Sequence, residues 1–503
     1  MRGRGLSLPW RCAVAAVAGA ALVLAFPPFD LWWLAPLPVA AFTLACRGET
    51  AVRGASVGLV FGMVFFAGLM PWLRVIGPDA WVLLSATCAV FLAALGAATS
   101  LATRVPGWPL WVACLWVAEE ALRDRWPLGG FPWGRLAFSQ PHSAVTAWAA
   151  LGGAPLVTFT VALAGTCVAF AVISTTTRGR VVVLGAAVAV VGVGLVIPTP
   201  TDGRTITAAV VQGNVPRTGM DAFGQRVAVL SAHVEATRTL AKDVRAGTMP
   251  KPDFVVWPEN ASDIDPVLDK GAYTLIDDVV SEIGVPVLVG MVVQTPDGTK
   301  LRNEGVVWDP VTGPGQVYVK RHPVPFGEYV PFRSLLQHFI SRFDRVPKDF
   351  AAGTDPGVLT LGTTTVANVI CFEVAYDQIV RDAVVGGGEV ITVQTNNATY
   401  GRTGQVEQQL AISQLRAVEH GRSVLVAATS GISAVISPDG TILDSVPEFT
   451  QSVMVQDVPA RTQITLADRM RGWPELVLAM VGLGAAVAGF RRRSSEDVSC
   501  PNP

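Results

Sequence analysis

Three residues whose side chains could together carry out covalent catalysis each follow a short apolar run of the sequence. Cys371 follows the β-branched run 365–370, and Glu259 and Lys320 end similar runs upstream. A thiol acts as a nucleophile when a base takes its proton and a positive group stabilises the anions that form. A carboxylate and an ammonium group suit those two roles. The sequence therefore predicts a cysteine-based catalytic site at one edge of a β-sheet.

Taken one at a time, these residues have ordinary structural explanations. A lone cysteine is more often a small buried hydrophobe than a nucleophile, and Glu259 or Lys320 alone could be a turn carboxylate or an exposed cation. Cys371 is the only cysteine between residues 198 and 472, so no disulfide can form within that part of the chain. The presence of all three residues at matching strand ends favours catalysis through Cys371.

The elements that would position these residues lie downstream of Thr205, where short strands alternate with helical stretches. Pro310–Gly313 separates two apolar runs and predicts a hairpin. Hairpins mixed with crossover helices indicate a layered α/β domain. The predicted strands are 205–212, 254–257, 286–293, 304–309, 316–320, 365–370, 390–394, 424–429 and 433–436, and the predicted helices are 222–245, 271–283, 376–385 and 404–420.

The composition of the whole chain is that of a membrane protein. Of its 503 residues, 51% are hydrophobic and only 15% are charged, and the mean hydropathy is +0.45. The net charge of −1 argues against a nucleic acid partner. Further apolar runs follow the first one directly, so that run is not interpreted as a cleaved signal peptide. The predicted spans lie near 12–26, 29–45, 54–70, 81–103, 109–122, 155–173, 181–197 and 473–490.

Basic residues recur in alternate loops between these eight spans and at both ends of the chain, which predicts that those loops are cytoplasmic. The segment 198–472 would then lie outside the cytoplasm. This organisation predicts a membrane domain over 1–200, an extracytoplasmic catalytic domain over 201–465, and a last helix with a cytoplasmic tail over 466–503. Within the membrane domain, the aromatic loop 126–134 is interpreted as an interfacial anchor, and a gate for lipid entry is the alternative.

Several motifs in the chain resemble those of a known family. They are Val211–Pro216, Trp257–Glu259, Lys320–Pro331, Ile370–Glu373, Thr395–Gly401, Arg416–Arg422 and, in the membrane part, Gly130–Trp133. Together they resemble the membrane-bound apolipoprotein N-acyltransferases of the nitrilase superfamily, and the resemblance covers nearly the whole chain. It implies a polytopic α-helical membrane domain joined to a nitrilase-like α-β-β-α sandwich.

The resemblance also implies roles for the residues at these motifs. Glu259 would be the general base, Lys320 would stabilise charge and Cys371 would be the nucleophile. The residues expected to support the site are Glu328, Glu373 and Phe372. Neither a metal nor an organic cofactor is expected. The acyl donor would be a membrane phospholipid, the acceptor a diacylated apolipoprotein, and the location the bacterial inner membrane.

The chain departs from the family pattern at three positions. Phe372 stands where many members have Tyr, Asp221 falls near a position where some have Trp, and Asn397 replaces a frequent Asp. Two other functions stay open, a membrane-bound amidase for a small C–N substrate and a non-enzymatic receptor or chaperone on an inactive scaffold. His322 is interpreted as structural. Arg416, Glu419 and Arg422 are predicted to form a solvated ion-pair face of a helix.

Overall fold

The computed structural model of the protein describes residues 6–215, 225–336 and 348–499. The described residues fall into two compact units. One contains the residues up to Pro198 together with those from Thr465 onward, and the other is Thr199–Ile464. The first unit is helical and the second contains all the described β-strands.

Helices of the first unit coincide with every predicted apolar segment. They are α1 Leu8–Val23, α2 Pro36–Cys46, α3 Ala51–Leu69, α4 Pro78–Ala102, α5 Trp108–Arg123, α6 Ala149–Ile173, α7 Thr177–Val193, the short α13 Leu466–Met470 and α14 Trp473–Ser499. Within the described residues, four helical segments are long and apolar enough to cross a membrane, namely Ala51–Leu69, Pro78–Ala102, Ala144–Ile173 and Trp473–Arg492. Helix α2 has only 11 residues and so spans about 16 Å, against a hydrocarbon core of about 30 Å. A count of eight spans therefore stays a prediction.

Glycines allow α3 and α4 to pack with their backbones close together. Gly54 and Gly58 are four residues apart on α3 and face α4. A Cβ atom at Gly58 would lie 2.0 Å from the Leu92 carbonyl oxygen, and one at Gly96 would lie 2.2 Å from the Gly54 carbonyl oxygen. Helices in lipid associate through such small residues because close backbone approach replaces the hydrophobic driving force.

A buried group of charged residues holds the loop after α5. Arg123 is 1% exposed and donates hydrogen bonds to Glu119 at 2.8 Å and to the carbonyl oxygens of Phe131 at 2.8 Å and Trp133 at 2.7 Å. Trp133 is buried, whereas Trp126 is 63% exposed. Of these two tryptophans, only Trp126 is therefore placed to act as an interfacial anchor.

The second unit contains two mixed six-stranded sheets. The strands are β1 Arg204–Gln212, β2 Phe254–Val256, β3 Val287–Gln294, β4 Leu301–Asp309, β5 Gly313–Val319, β6 Val358–Leu361, β7 Thr364–Ile370, β8 Val390–Thr395, β9 Val424–Ala428, β10 Ser433–Ile436, β11 Ile442–Val446 and β12 Ser452–Ala460. The first sheet has the order β12-β1-β2-β3-β4-β5 and the second β11-β10-β9-β8-β7-β6. Pairing is parallel along β1-β2-β3 and β7-β8-β9 and antiparallel elsewhere.

Helices cover the outer faces of these sheets and give a layered α/β domain. The helices of this unit are α8 Arg226–Ala246, α9 Lys270–Ile283, the short α10 Arg333–Leu336, α11 Asp377–Val385 and α12 Gln405–His420. Alternate residues of β1 serve two cores: Val211 packs with α8 and α9, whereas Val210 packs against the second sheet. Helices α11 and α12 pack on β7 and β9 of that second sheet.

Candidate active site

The three predicted catalytic residues meet where strand ends of both sheets face each other. Glu259 follows β2 and Lys320 follows β5, which both belong to the first sheet, whereas Cys371 follows β7 of the second sheet. The prediction of a site at the edge of a single sheet was therefore wrong. The site lies between two sheets because the strand with the nucleophile pairs with β6 and β8 and not with β2 or β5.

The Glu259 carboxylate is buried and hydrogen-bonded on both oxygens. Its Oε1 accepts from Lys320 Nζ at 3.1 Å and from Asn303 Nδ2 at 2.7 Å, and its Oε2 accepts from the Asn396 N–H at 2.9 Å. The side chain is thereby fixed in one orientation. The donors also stabilise the negative charge that a base needs before it accepts a proton.

Lys320 is 1% exposed and lies between two carboxylates. Its Nζ is 3.1 Å from Glu259 Oε1 and 3.0 Å from Glu328 Oε1. Burial acts to lower the pKa of the Lys320 ammonium, but the charges of Glu259 and Glu328 outweigh it and hold the pKa well above its usual value. Lys320 is consequently a permanent positive charge, which can stabilise an oxyanion.

Cys371 starts a tight 3₁₀ turn, Cys371–Ala375, with its backbone in the left-handed region at φ 57°. For a residue with a Cβ, such a conformation costs on the order of 1–3 kcal/mol and persists only where the surrounding structure imposes it. Nucleophiles of other enzymes occupy similar strand-to-helix turns, which lift the reactive atom out of the sheet.

The thiol of Cys371 is held in its protonated form. Burial raises its pKa to about 12, and the charge of Glu259 and a hydrogen bond to that carboxylate add to the effect. The Lys320 charge and the Thr395 hydroxyl, whose Oγ1 lies 3.4 Å from Sγ, act in the opposite direction. A thiol with this pKa is not a preformed thiolate at neutral pH, so its reaction requires a base.

The Glu373 carboxylate connects the strand that carries Lys320 to the turn that carries Cys371. Its Oε1 accepts from the backbone N–H groups of Arg321 at 2.7 Å and His322 at 3.0 Å. Its Oε2 accepts from Tyr318 Oη at 2.8 Å and from the Ile370 N–H at 2.8 Å. All four bonds serve positioning. The supporting role of Glu373 stays a prediction.

Phe372 and His322 both contact Tyr376. The Phe372 ring meets the Tyr376 ring edge-on at 5.4 Å between centroids, and Tyr376 Oη lies 2.7 Å from His322 Nε2. Burial, followed by the Lys320 charge, lowers the pKa of His322 to about 4. A neutral, hydrogen-bonded ring fits the structural interpretation of His322.

The sequence did not single out Asn303. Its Nδ2 bridges Glu259 Oε1 at 2.7 Å and Glu328 Oε1 at 2.9 Å, so it links the predicted base to a supporting residue. The strand was expected to begin at residue 304, but β4 begins at Leu301. The signal available in the sequence was an amide residue directly before the predicted strand 304–309. Asp221, the position near a Trp of some family members, lies outside the described residues.

The prediction of a solvated face at Arg416, Glu419 and Arg422 was wrong, because these residues are 0%, 5% and 1% exposed. Helix α12 also ends at His420, so Arg422 lies beyond it. Both guanidinium groups are buried because backbone carbonyl oxygens surround them and accept hydrogen bonds.

Within the described part of the chain, no group of three or more His, Cys, Asp or Glu residues could hold a metal ion.

Comparison with known proteins agrees with this fold. Residues 207–465 match the family model described as "Carbon-nitrogen hydrolase", and residues 18–167 match "Apolipoprotein N-acyltransferase N-terminal domain". Among solved structures, an amidase of the nitrilase superfamily from Nesterenkonia AN1 is 15% identical, covers 55% of this chain and 97% of its own, and gives a TM-score of 0.38. The match to the carbon-nitrogen hydrolase model covers more than half of the chain and assigns residues 207–465 to that family.

Full-length relatives define the family more narrowly. "Apolipoprotein N-acyltransferase" of Mycolicibacterium smegmatis is 38% identical over 94% of this chain and 84% of its own. That of Pseudomonas putida is 30% identical over 95% of this chain and 96% of its own. The chain belongs to the apolipoprotein N-acyltransferase family and is therefore an acyltransferase.

Proposed function

We propose that the protein transfers a fatty acyl chain from a membrane phospholipid to the N-terminal amine of the diacylglyceryl-cysteine of apolipoproteins. The transfer proceeds in two steps through a thioester on Cys371. One observation carries the proposal: a buried ammonium, Lys320, is ion-paired with Glu259 beside a thiol held in a left-handed turn. Nucleophile, base and positive charge are thus assembled at one place.

In the first step, the Cys371 sulfur attacks the ester carbonyl carbon of the phospholipid while Glu259 takes the thiol proton. The tetrahedral oxyanion is stabilised by the Lys320 ammonium and by the backbone N–H of Phe372 at the start of the turn. The intermediate collapses as the carbon–oxygen ester bond breaks. Glu259 returns the proton to the leaving oxygen, a lysophospholipid departs, and an acyl thioester remains.

In the second step, the free α-amine of the acceptor attacks the thioester carbonyl. Glu259 takes a proton from the attacking nitrogen and passes it to the departing Cys371 sulfur, which regenerates the thiol. The products are an amide and free enzyme. Two substrates that use one site in turn give ping-pong kinetics.

Both proposed substrates are anchored in a bilayer, which gives the helical unit a role. We place the catalytic residues 201–465 outside the cytoplasm, between a membrane domain over 1–200 with seven spans and an eighth span within 466–503. The basic residues of alternate loops support this orientation. The enzyme would then act at the outer surface of the bacterial inner membrane.

The test uses the purified full-length protein in vesicles with acyl-labelled phospholipid and a diacylated lipopeptide. Label should pass to the lipopeptide amine with the wild-type protein and with Cys12→Ala, a control that removes a thiol of the helical unit. Cys371→Ala should transfer none. Hydrolysis of small amides without lipid transfer would indicate an amidase instead, and an unreactive Cys371 would indicate an inactive scaffold.

A further inference from the structure

The buried guanidinium of Arg416 lies against the far end of the turn that starts at Cys371. Its Nε donates to the carbonyl oxygen of Val374 at 2.8 Å, and its Nη2 donates to that of Ala375 at 2.8 Å. These are the last two residues of the Cys371–Ala375 turn. The Arg416 side chain, on α12, therefore binds the end of the turn that is opposite to the nucleophile.

Two carboxylates hold the Arg416 guanidinium in place. Asp377 Oδ1 accepts from Arg416 Nη2 at 2.7 Å, and Glu419 forms an ion pair with Nη1. Arg416 is 0% exposed, so these acceptors stand in for the water that its charge would otherwise require. A planar guanidinium held by carboxylates presents its remaining N–H groups in a fixed fork.

The turn needs such a support at both ends. The final carbonyl groups of a short helical turn have no partner within the turn, and the left-handed conformation of Cys371 persists only where neighbouring contacts impose it. At the first end, Glu373 Oε2 accepts from the Ile370 N–H at 2.8 Å. At the last end, the contacts of Arg416 perform the same task.

We propose that Arg416 is a positioning residue that holds the Cys371–Ala375 turn in the geometry required for attack. It sets the direction of the Cys371 thiol and of the Phe372 N–H through the turn, without touching substrate. The effect on acyl transfer rests on the proposed function, whereas the effect on the reactivity of the thiol does not.

Arg422 supplies a matched control from the same part of the chain. It is also buried, at 1% exposure, and also donates to backbone carbonyl oxygens, those of Gly388 at 2.9 Å and Gln463 at 2.7 Å. Neither acceptor belongs to the Cys371 turn. Replacing either arginine by Lys keeps the charge and loses the fork. Arg416→Lys and Arg422→Lys therefore disturb packing alike, but only Arg416→Lys weakens hydrogen bonds to the Cys371–Ala375 turn.

The experiment measures three quantities on the full-length protein and both variants: the thermal unfolding midpoint, the pH profile of Cys371 alkylation by iodoacetamide, and kcat and KM for acylation by phospholipid. Arg416→Lys should lower kcat about 10²-fold, as expected for a misplacement of about 1 Å in a reacting group, with KM little changed. Its alkylation profile should shift to lower pH, because a loosened turn admits water to a thiol whose pKa burial has raised. Arg422→Lys should keep the wild-type kcat and alkylation profile at a similar unfolding midpoint.

Wild-type kcat and alkylation in Arg416→Lys would overturn the proposal. So would losses in both variants that follow their unfolding midpoints, because these would mean a general structural role. Should Arg416→Lys not fold, Asp377→Ala removes one acceptor of the guanidinium at a side chain that is 23% exposed. This variant should lower kcat roughly tenfold, because Arg416 loses one charge-assisted hydrogen bond and holds the turn less firmly. Wild-type kinetics in this variant would contradict the proposal. A shifted alkylation profile in a protein that transfers no acyl group would leave the positioning role intact and refute the proposed function.

Discussion

The proposed mechanism assigns Glu259 as the group that takes the proton of the Cys371 thiol. Burial raises the pKa of the Cys371 thiol to about 12, so the thiol is protonated at neutral pH. In the proposed mechanism the sulfur therefore attacks as its proton passes to Glu259, and not as a stored thiolate. The pKa of Lys320 is held well above its usual value, so we propose that its ammonium stabilises the oxyanion and does not transfer protons.

Replacement of Glu259 by Gln tests this division of roles. Glu259→Gln keeps the shape of the side chain but cannot take the thiol proton, so acyl transfer should fall by about 10²–10⁴-fold, the usual contribution of a general base. The same change removes a negative charge that raises the pKa of Cys371, so the midpoint of Cys371 alkylation should move to lower pH. The measurements are single-turnover acylation and alkylation at a series of pH values.

Glu304→Gln is the matched control for this change. Glu304 is a buried carboxylate on β4, next to Asn303, and its ion-pair partner is Arg302 at 3.7 Å. It should keep nearly wild-type acyl transfer. Turnover near the wild-type rate in Glu259→Gln would remove Glu259 from the mechanism.

At the scale of strands and helices, the site depends on how closely the two sheets approach. Gln394 of β8 donates to the Trp257 carbonyl oxygen at 2.7 Å and accepts from Asn368 Nδ2 at 2.9 Å. This contact joins the second sheet to the segment that carries Glu259. Gly305 of β4 leaves the space for it, since a Cβ atom there would lie 2.5 Å from Gln394 Oε1.

Gly305→Ala should therefore force the buried amides apart and lower the free energy of unfolding by about 1–3 kcal/mol, the range for overpacking a core. Acyl transfer should fall as well, because Glu259 and Cys371 belong to different sheets. Gly315→Ala on β5 is the control, since a Cβ atom there meets only the Val307 carbonyl oxygen at 3.7 Å. Thermal unfolding and activity check both variants, and equal behaviour of the two would argue against a tight inter-sheet contact at Gly305.

Local sequence patterns predicted the strands but not how they assemble. β-Branched runs placed Glu259, Lys320 and Cys371 at strand ends, because periodicity and composition report local structure. These runs could not assign Cys371 to the second sheet, since the sequence of one strand does not show which distant strands it pairs with. The burial of Arg416 escaped prediction for the same reason. Its acceptors are carbonyl groups some 40 residues away in the chain, and a charged helix face is usually solvated.

At the scale of the whole molecule, the chain combines a carbon-nitrogen hydrolase domain with a helical unit, in which the described residues form four long apolar helices. Composition and the motifs identified both parts from the sequence. The number of spans was harder to predict, because segments such as α2 are apolar but short. Hydropathy reports how apolar a segment is, whereas its path through the bilayer depends on packing against other helices.

The proposed topology is testable with reporter fusions on the full-length chain. A reporter fused after Arg493 should be active only in the cytoplasm, because basic residues there follow the last span. One inserted at Gly298, in the exposed turn between β3 and β4, should be active only outside. Activity of both reporters on the same side would contradict the topology. Gly298 and Arg493 would then be separated by an even number of spans instead of the single predicted span.

The most direct test of the central claim is to trap the acyl group on Cys371. With phospholipid present and no acceptor amine, the second step cannot occur, so the enzyme should accumulate as a thioester. Intact-protein and peptide mass spectrometry should then find one fatty acyl group on the peptide that contains Cys371. Neutral hydroxylamine should release it, and a diacylated lipopeptide should discharge it into N-acylated product. An acyl group on another residue, together with full activity in Cys371→Ala, would contradict the account.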